Sequence, residues 1–163
     1  MTGSPVVTNA GPLMVLAKLN LLNLLKQLYQ EVLIAQAVYD EVVVRGIRQG
    51  YADAFSLDHF LQLEQWHPVT GVEVGEDLKE LQLDRGELES IALAKARQVP
   101  LLIDEERGRI QARRMNIAVR GTLGVLVQAY KSGILDVSQL RYNFGEIEAR
   151  SDIWISPTLC RRV

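Results

Sequence analysis

Short apolar runs alternate along this chain with amphipathic stretches of helical length, and that alternation constrains the fold more than any single motif. The runs are Val6-Val7, "VLIA" (32–35), a stretch near Trp66 to Val69, "PLLI" (100–103) and "IAV" (117–119). Between and after them, apolar residues recur at helical spacing over 12–28, 36–46, 51–62, 84–98, 104–116, 121–133 and 136–150. A run too short to be a buried helix, followed by a helix and another such run, predicts an α/β domain with a mainly parallel sheet. With 163 residues, 48% of them hydrophobic, the chain is large enough to bury one good-sized core.

Local signals sharpen these boundaries. Pro12 suits the first helical position, where its missing N–H costs nothing. Gly46 and Gly133 suit helix ends. "GVEVGEDL" (71–78) reads as a loop entering a short helix, and "IWIS" (153–156) is followed by a final helical turn. The net charge of −2 gives no global positive field, so contact with nucleic acid must rest on a local patch. The single cysteine, Cys160, cannot close an intramolecular disulfide, and residues 1–5 show no basic region before an apolar core. The expectation is a cytoplasmic protein without a secretory leader. Lys18, Asn20, Asn23 and Lys26 interrupt the longest apolar region, so no membrane span is expected.

In an open parallel sheet, ligands bind beyond the carboxyl ends of the strands. The polar residues there are Asn9 after the first run, Asp104, Glu105 and Glu106 after "PLLI", and Thr122 after "IAV". Glu41 lies in the helix after "VLIA", and Glu87 opens the helix before "PLLI". Each also has a structural reading. Asp84-Arg85-Gly86-Glu87 fits a capping box, Asp104 and Thr122 fit N-caps, and Asn9 fits a turn. Glu105 and Glu106 suit the positive end of a helix dipole, and Glu41 suits a solvated face. Several carboxylates at one sheet edge nevertheless repel one another unless a cation is present, and hard oxygen donors select Mg²⁺ or Mn²⁺.

"VVTNAGPLMVLAKLNLLNLL", "EVLIAQAVYDEVV", "DRGELESIALA", "PLLIDEERGR" and "GTLGVLVQAYKSGIL" together resemble the ordered landmarks of the PIN-domain superfamily. They are most similar to its small prokaryotic branch of predicted nucleic-acid-binding proteins, related to the toxins of toxin–antitoxin modules. The resemblance implies a three-layer α/β/α fold with a central, mainly parallel five-stranded sheet. It runs from about residue 5 to residue 135, and the expectation is a single PIN-like domain over 1–163, with 136–163 a C-terminal helical extension. It implies divalent-metal-dependent hydrolysis of single-stranded RNA, with Glu41, Glu87 and Asp104 as catalytic acids. Metal ligands would be Asn9, Glu41, Glu87, Asp104 and, one residue on, Glu105. The implied cofactor is Mg²⁺ or Mn²⁺, and the implied partners are a small antitoxin protein and further copies of the chain, as a homodimer or higher homo-oligomer. The departure is Asn9, where the family motif places its first acid: a neutral amide can coordinate a hard cation but brings no charge. The alternative implied by that departure is a catalytically weakened module that binds RNA or protein.

Arg107, Gln111 and Arg114 fall one turn apart, with Arg109, Arg113 and Arg120 nearby. Arg107 and Arg114 are the candidate phosphate contacts; the competing reading is an exposed helix face carrying pairs such as Glu105–Arg109. His59 and His67 lack the spacing of zinc ligands, and Gly121-Thr122-Leu123-Gly124 lacks the lysine of a P-loop. A receiver-like domain phosphorylated on Asp104 needs an acidic pair after the first strand, which Thr8-Asn9 does not supply.

Overall fold

The computed structural model describes residues 3–153 and 155. Four short parallel strands form one sheet: β1 (Val6–Thr8), β2 (Val32–Leu33), β3 (Leu101–Leu102) and β4 (Val119–Arg120), in the order β2-β1-β3-β4. The side chains of Val6, Val7, Leu101, Leu102 and Ile103 are buried, as sheet residues covered on both faces must be. Helices flank the sheet. They are α1 (Ala10–Lys18), α2 (Asn23–Leu28), α3 (Gln36–Tyr39), α4 (Arg45–Arg48), α5 (Ala52–Glu64), α6 (Glu76–Lys79), α7 (Arg85–Arg97), α8 (Glu106–Arg114), α9 (Thr122–Lys131) and α10 (Val137–Ala149). Helix α7 packs on β1 and β3, α8 and α9 pack on β4, and α10 packs on α9. Among the described residues no helix is long and apolar enough to cross a membrane.

The α/β class and parallel pairing agree with the sequence reading; the strand count does not. Among the described residues four strands are formed, and the expected strand at 66–69 contributes only an isolated bridge between Val69 and Ala35. Val69 N–H donates to the Ile34 carbonyl and Gln36 N–H to the Val69 carbonyl, and the pairing stops at that one residue. The helix expected over 12–28 is two helices, α1 and α2, because Asn20 adopts a left-handed conformation (φ 59°) between them. Pro12 sits within the first turn of α1 rather than at its first position.

Gly46 does not end a helix. From α3 the chain continues through a π-helical segment, Asp40–Val44, directly into α4. Gly46 instead lets α4 approach α5 closely, since a Cβ there would lie 2.6 Å from the Ala54 Cβ. Of "IWIS", Trp154 and Ser156 lie outside the described residues, as do the expected final turn and Cys160.

Candidate functional site

The chain leaves β1 to pair β2 on one side and later β3 on the other, so strand order switches direction between β1 and β3. Their carboxyl ends are joined where Asn9 N–H donates to the Leu102 carbonyl (2.8 Å). Immediately beyond lies a cleft of about 250 Å³ lined by Asn9, Glu41, Asp84, Glu87, Asp104 and Glu105. Every acid expected at the site lines it, together with Asp84, whose sequence context suggests only a cap. This is the position at which parallel α/β sheets hold ligands.

Each side chain reaches the cleft for a local reason. Asn9 precedes α1, yet its side chain makes no cap hydrogen bond; its Oδ1 meets only a long contact from the Ser90 hydroxyl (3.5 Å). The residue is 7% exposed. Asp104 is expected from sequence to cap the helix after β3, but Glu105 does so, accepting from Gly108 N–H (2.8 Å). That frees Asp104 to reach across to α9. Its Oδ1 accepts the Thr122 N–H (2.7 Å) and its Oδ2 the Thr122 hydroxyl (2.6 Å). Thr122 therefore does not cap α9, a role taken by Gly121; it fixes Asp104. Gly121 is required by this closeness, since a Cβ there would stand 2.8 Å from Asp104 Oδ1 and 2.9 Å from an Arg109 nitrogen. Arg109 donates to the Ile103 carbonyl (2.9 Å), not to Glu105, so the pair expected from its spacing is replaced by a buried backbone contact.

Glu41 projects from the π-helical segment. A methyl group in place of the Gly86 hydrogen would touch both Glu41 Oε1 (3.4 Å) and Asp84 Oδ1 (3.5 Å), so these carboxylates face each other across that glycine. Asp84 caps α7 by accepting from Glu87 N–H (2.8 Å), and the Glu87 carboxyl lies against Asp84 rather than folding back to cap it. Glu89, in the same motif, is a structural tie: it accepts from Ala37 N–H (3.1 Å) and Arg85 Nε (2.7 Å).

Burial raises Glu41, Glu87 and Asp104 from their ordinary values, and neighbouring carboxylates add to it at Glu41 and Glu87. Burial, then the charge and hydrogen bond of Asp84, then Glu105 and Glu41, push Glu87 up to about 8. Burial also raises Glu41, with Asp84 adding to it and Arg45 opposing. Burial raises Asp104 against the opposing Thr122 hydrogen bonds and the Arg109 charge. A cluster that binds protons this readily in isolation is one that a cation would discharge.

The residues present suit a hard cation by donor chemistry: all are oxygen donors, and Asn9 offers an oxygen with little competing hydrogen bonding. Among the described residues, no group of three His, Cys, Asp or Glu side chains stands ready to enclose an ion.

Arg107 and Arg114 do not line this cleft. With Leu81, Gln82, Leu83, Ile110 and Gln111 they form a separate groove of about 330 Å³ beside α8. Neither makes an ion pair among the described residues.

A family model described as a PIN domain matches residues 5–163. No curated protein and no solved structure gave a match. With the parallel sheet, the switch point and an acidic cleft at its carboxyl edge in place, and a family match that runs almost the full length of the chain, this protein belongs to the PIN-domain superfamily.

Proposed function

We propose that this chain is a divalent-metal-dependent endoribonuclease acting on single-stranded RNA. The observation that carries the reading is the convergence of Asn9, Glu41, Asp84, Glu87, Asp104 and Glu105 on one cleft at the switch point of a PIN fold. Glu87, Asp104 and Glu41, with the Asn9 amide and Glu105, would hold Mg²⁺ or Mn²⁺. When bound, such an ion neutralises phosphate charge and acidifies a water nucleophile. Thr122 holds both oxygens of Asp104 and so fixes their direction. Glu87, whose carboxyl holds a proton up to about pH 8 in the ion-free cleft, becomes an ionised ligand or base once that charge is offset. Arg107 and Arg114, in the groove beside α8, are proposed as outlying phosphate contacts.

The test is cleavage of a mixed single-stranded RNA pool by the purified chain with Mn²⁺, with Mg²⁺ and with EDTA. Cleavage in EDTA, or equal cleavage by Asp104→Asn, would overturn the assignment. Asp104→Asn is suitable because its amide can still accept from Thr122 N–H and donate to the Thr122 hydroxyl. The proposal extends to a toxin role, a small antitoxin as partner and a homodimer or higher homo-oligomer. Co-expression with the product of the adjacent gene and size-exclusion chromatography test these.

Asn9 supports a second reading. It is buried in the cleft, and its uncharged oxygen weakens any ion site built there. RNA retention without metal-stimulated cleavage would favour a binding module over a nuclease.

A further inference from the structure

A larger groove, about 590 Å³, lies beside the acidic cleft, with Glu41 lining both. It runs between α1, α4 and the start of α5, floored where Gly46 meets Ala54. Three features set it apart from an ordinary surface furrow. Tyr51, at its rim, is 58% exposed, an aromatic side chain left open to solvent beside a charged cleft. Arg45 lies in the groove one turn beyond Glu41 and makes no ion pair among the described residues. Lys18 lies at the far wall, where its ammonium donates to the Asp152 carbonyl while Arg150 pairs with the Asp152 carboxylate. The remaining charge is Asp53. With Lys18 and Arg45 set against Glu41, Asp53 and Asp152, the groove is far less acidic than the cleft beside it, which no basic residue lines. It offers an aromatic face, a guanidinium and a volume in the range of small-molecule ligand sites.

We propose that this groove holds the nucleotide adjoining the cleaved phosphate of single-stranded RNA, with the base stacked on Tyr51 and the backbone phosphate on Arg45. Stacking on an aromatic face tolerates any base, and a lone guanidinium grips phosphate without reading sequence. Glu41 marks the boundary at which the grip on the strand ends and the chemistry begins. The groove beside α8 shares no residue with the acidic cleft, so Arg107 and Arg114 contact the strand farther from the reacting bond. This inference rests on the ribonuclease reading but is testable apart from it.

The experiment measures fluorescence anisotropy of a labelled 12-nucleotide oligouridine with the full chain in EDTA, across a salt series, for wild type, Tyr51→Ala, Tyr51→Phe, Arg45→Ala and Arg114→Ala. Tyr51→Ala should weaken binding by at least about 5-fold, while Tyr51→Phe keeps the ring and the affinity. Arg45→Ala should lower the slope of log K against log salt by about 0.7, the amount for one lost single-strand phosphate contact. Wild-type affinity in Tyr51→Ala, or equal loss in Tyr51→Phe, overturns the stacking role. An unchanged slope in Arg45→Ala overturns the phosphate role, whatever the slope of Arg114→Ala. If wild type cleaves RNA with Mn²⁺ while these variants bind normally, the groove assignment fails and the nuclease stands. If the variants lose binding but wild type never cleaves, the nuclease fails and the groove stands.

Discussion

Helices α7 and α10 begin with nearly the same pattern, Asp84-x-x-Glu87 and Asp136-x-x-Gln139, and end up with opposite uses for it. At α10 the box closes in both directions: Gln139 N–H donates to the Asp136 carboxylate (2.7 Å), and Asp136 N–H donates to the Gln139 side chain (2.8 Å). At α7 only the Asp84 half forms; no return bond to the Glu87 carboxylate is found among the described residues. Glu87 turns into the cleft, beside Asp84 and near Glu41 and Glu105, and its pKa climbs to about 8. One helix start uses its local hydrogen bonds for stability. The other leaves one unmade and packs like charges instead, a local cost of the kind that proteins carry at functional sites and that the proposed ion would offset.

The largest test of this contrast is activity. Glu87→Gln should reduce metal-dependent RNA cleavage by at least about 100-fold, whereas Gln139→Glu, the matching change at α10, should leave it unaltered. Equal effects on cleavage would erase the distinction. The next test is pH. Glu87 binds its proton more tightly folded than unfolded, so its burden on stability is absent below the unfolded value of 4.5. The burden grows as pH rises through that value and is complete above about 8. In EDTA, Glu87→Gln should therefore gain melting temperature over wild type progressively across that window, and Mn²⁺ should narrow the gap. A constant difference across pH would remove Glu87 from the charged cluster.

Asn9→Asp sharpens the comparison by adding one more acid to the cleft. Without metal the new charge should lower the melting temperature at pH 8. With Mn²⁺ its metal-induced rise should exceed that of wild type, by about 1.4 kcal/mol if affinity increases tenfold. Equal rises would place the Asn9 side chain outside the ion's reach. The smallest effect is at the caps themselves. Asp136→Ala should cost about 1 kcal/mol, a fall of about 2–4 °C. Asp84→Ala loses the same kind of bond but relieves repulsion, so in EDTA it should cost less; a fall as large as that of Asp136→Ala would mean the cluster stores no strain.

The sequence reveals the parallel α/β class because buried strands such as Leu101-Leu102-Ile103 have no polar face to confuse their reading. It hides the break at Asn20, since Leu19, Leu21 and Leu22 continue an apolar pattern through a turn that only the backbone angle reveals. It overcounts strands because Val69 looks like any strand residue, while how far its pairing runs is set by backbone contacts with residues distant in sequence. At the site, Asn9, Glu87, Asp104 and Glu105 are legible as residues following strands or opening a helix and Glu41 as an acid lining one, while their grouping is legible only through the resemblance to the PIN family. Asp84 is concealed by a cap it does provide, and Thr122 by one it does not. Arg45 and Tyr51 carry no local pattern at all; they become neighbours of the cleft only through the packing of α4 and α5.

The widened turn at Asp40–Val44 fits one more residue into the helix than regular winding allows. Deleting a single residue there would restore ordinary winding and leave α3 and α4 on the faces they now occupy, so only the side chains of the widened turn itself would be re-aimed. Such a shortened protein would have a more regular helix and a misdirected Glu41. A length change at this point would therefore make the helix more regular while displacing one carboxylate of the acidic cleft, an effect that no single substitution at Glu41 reproduces.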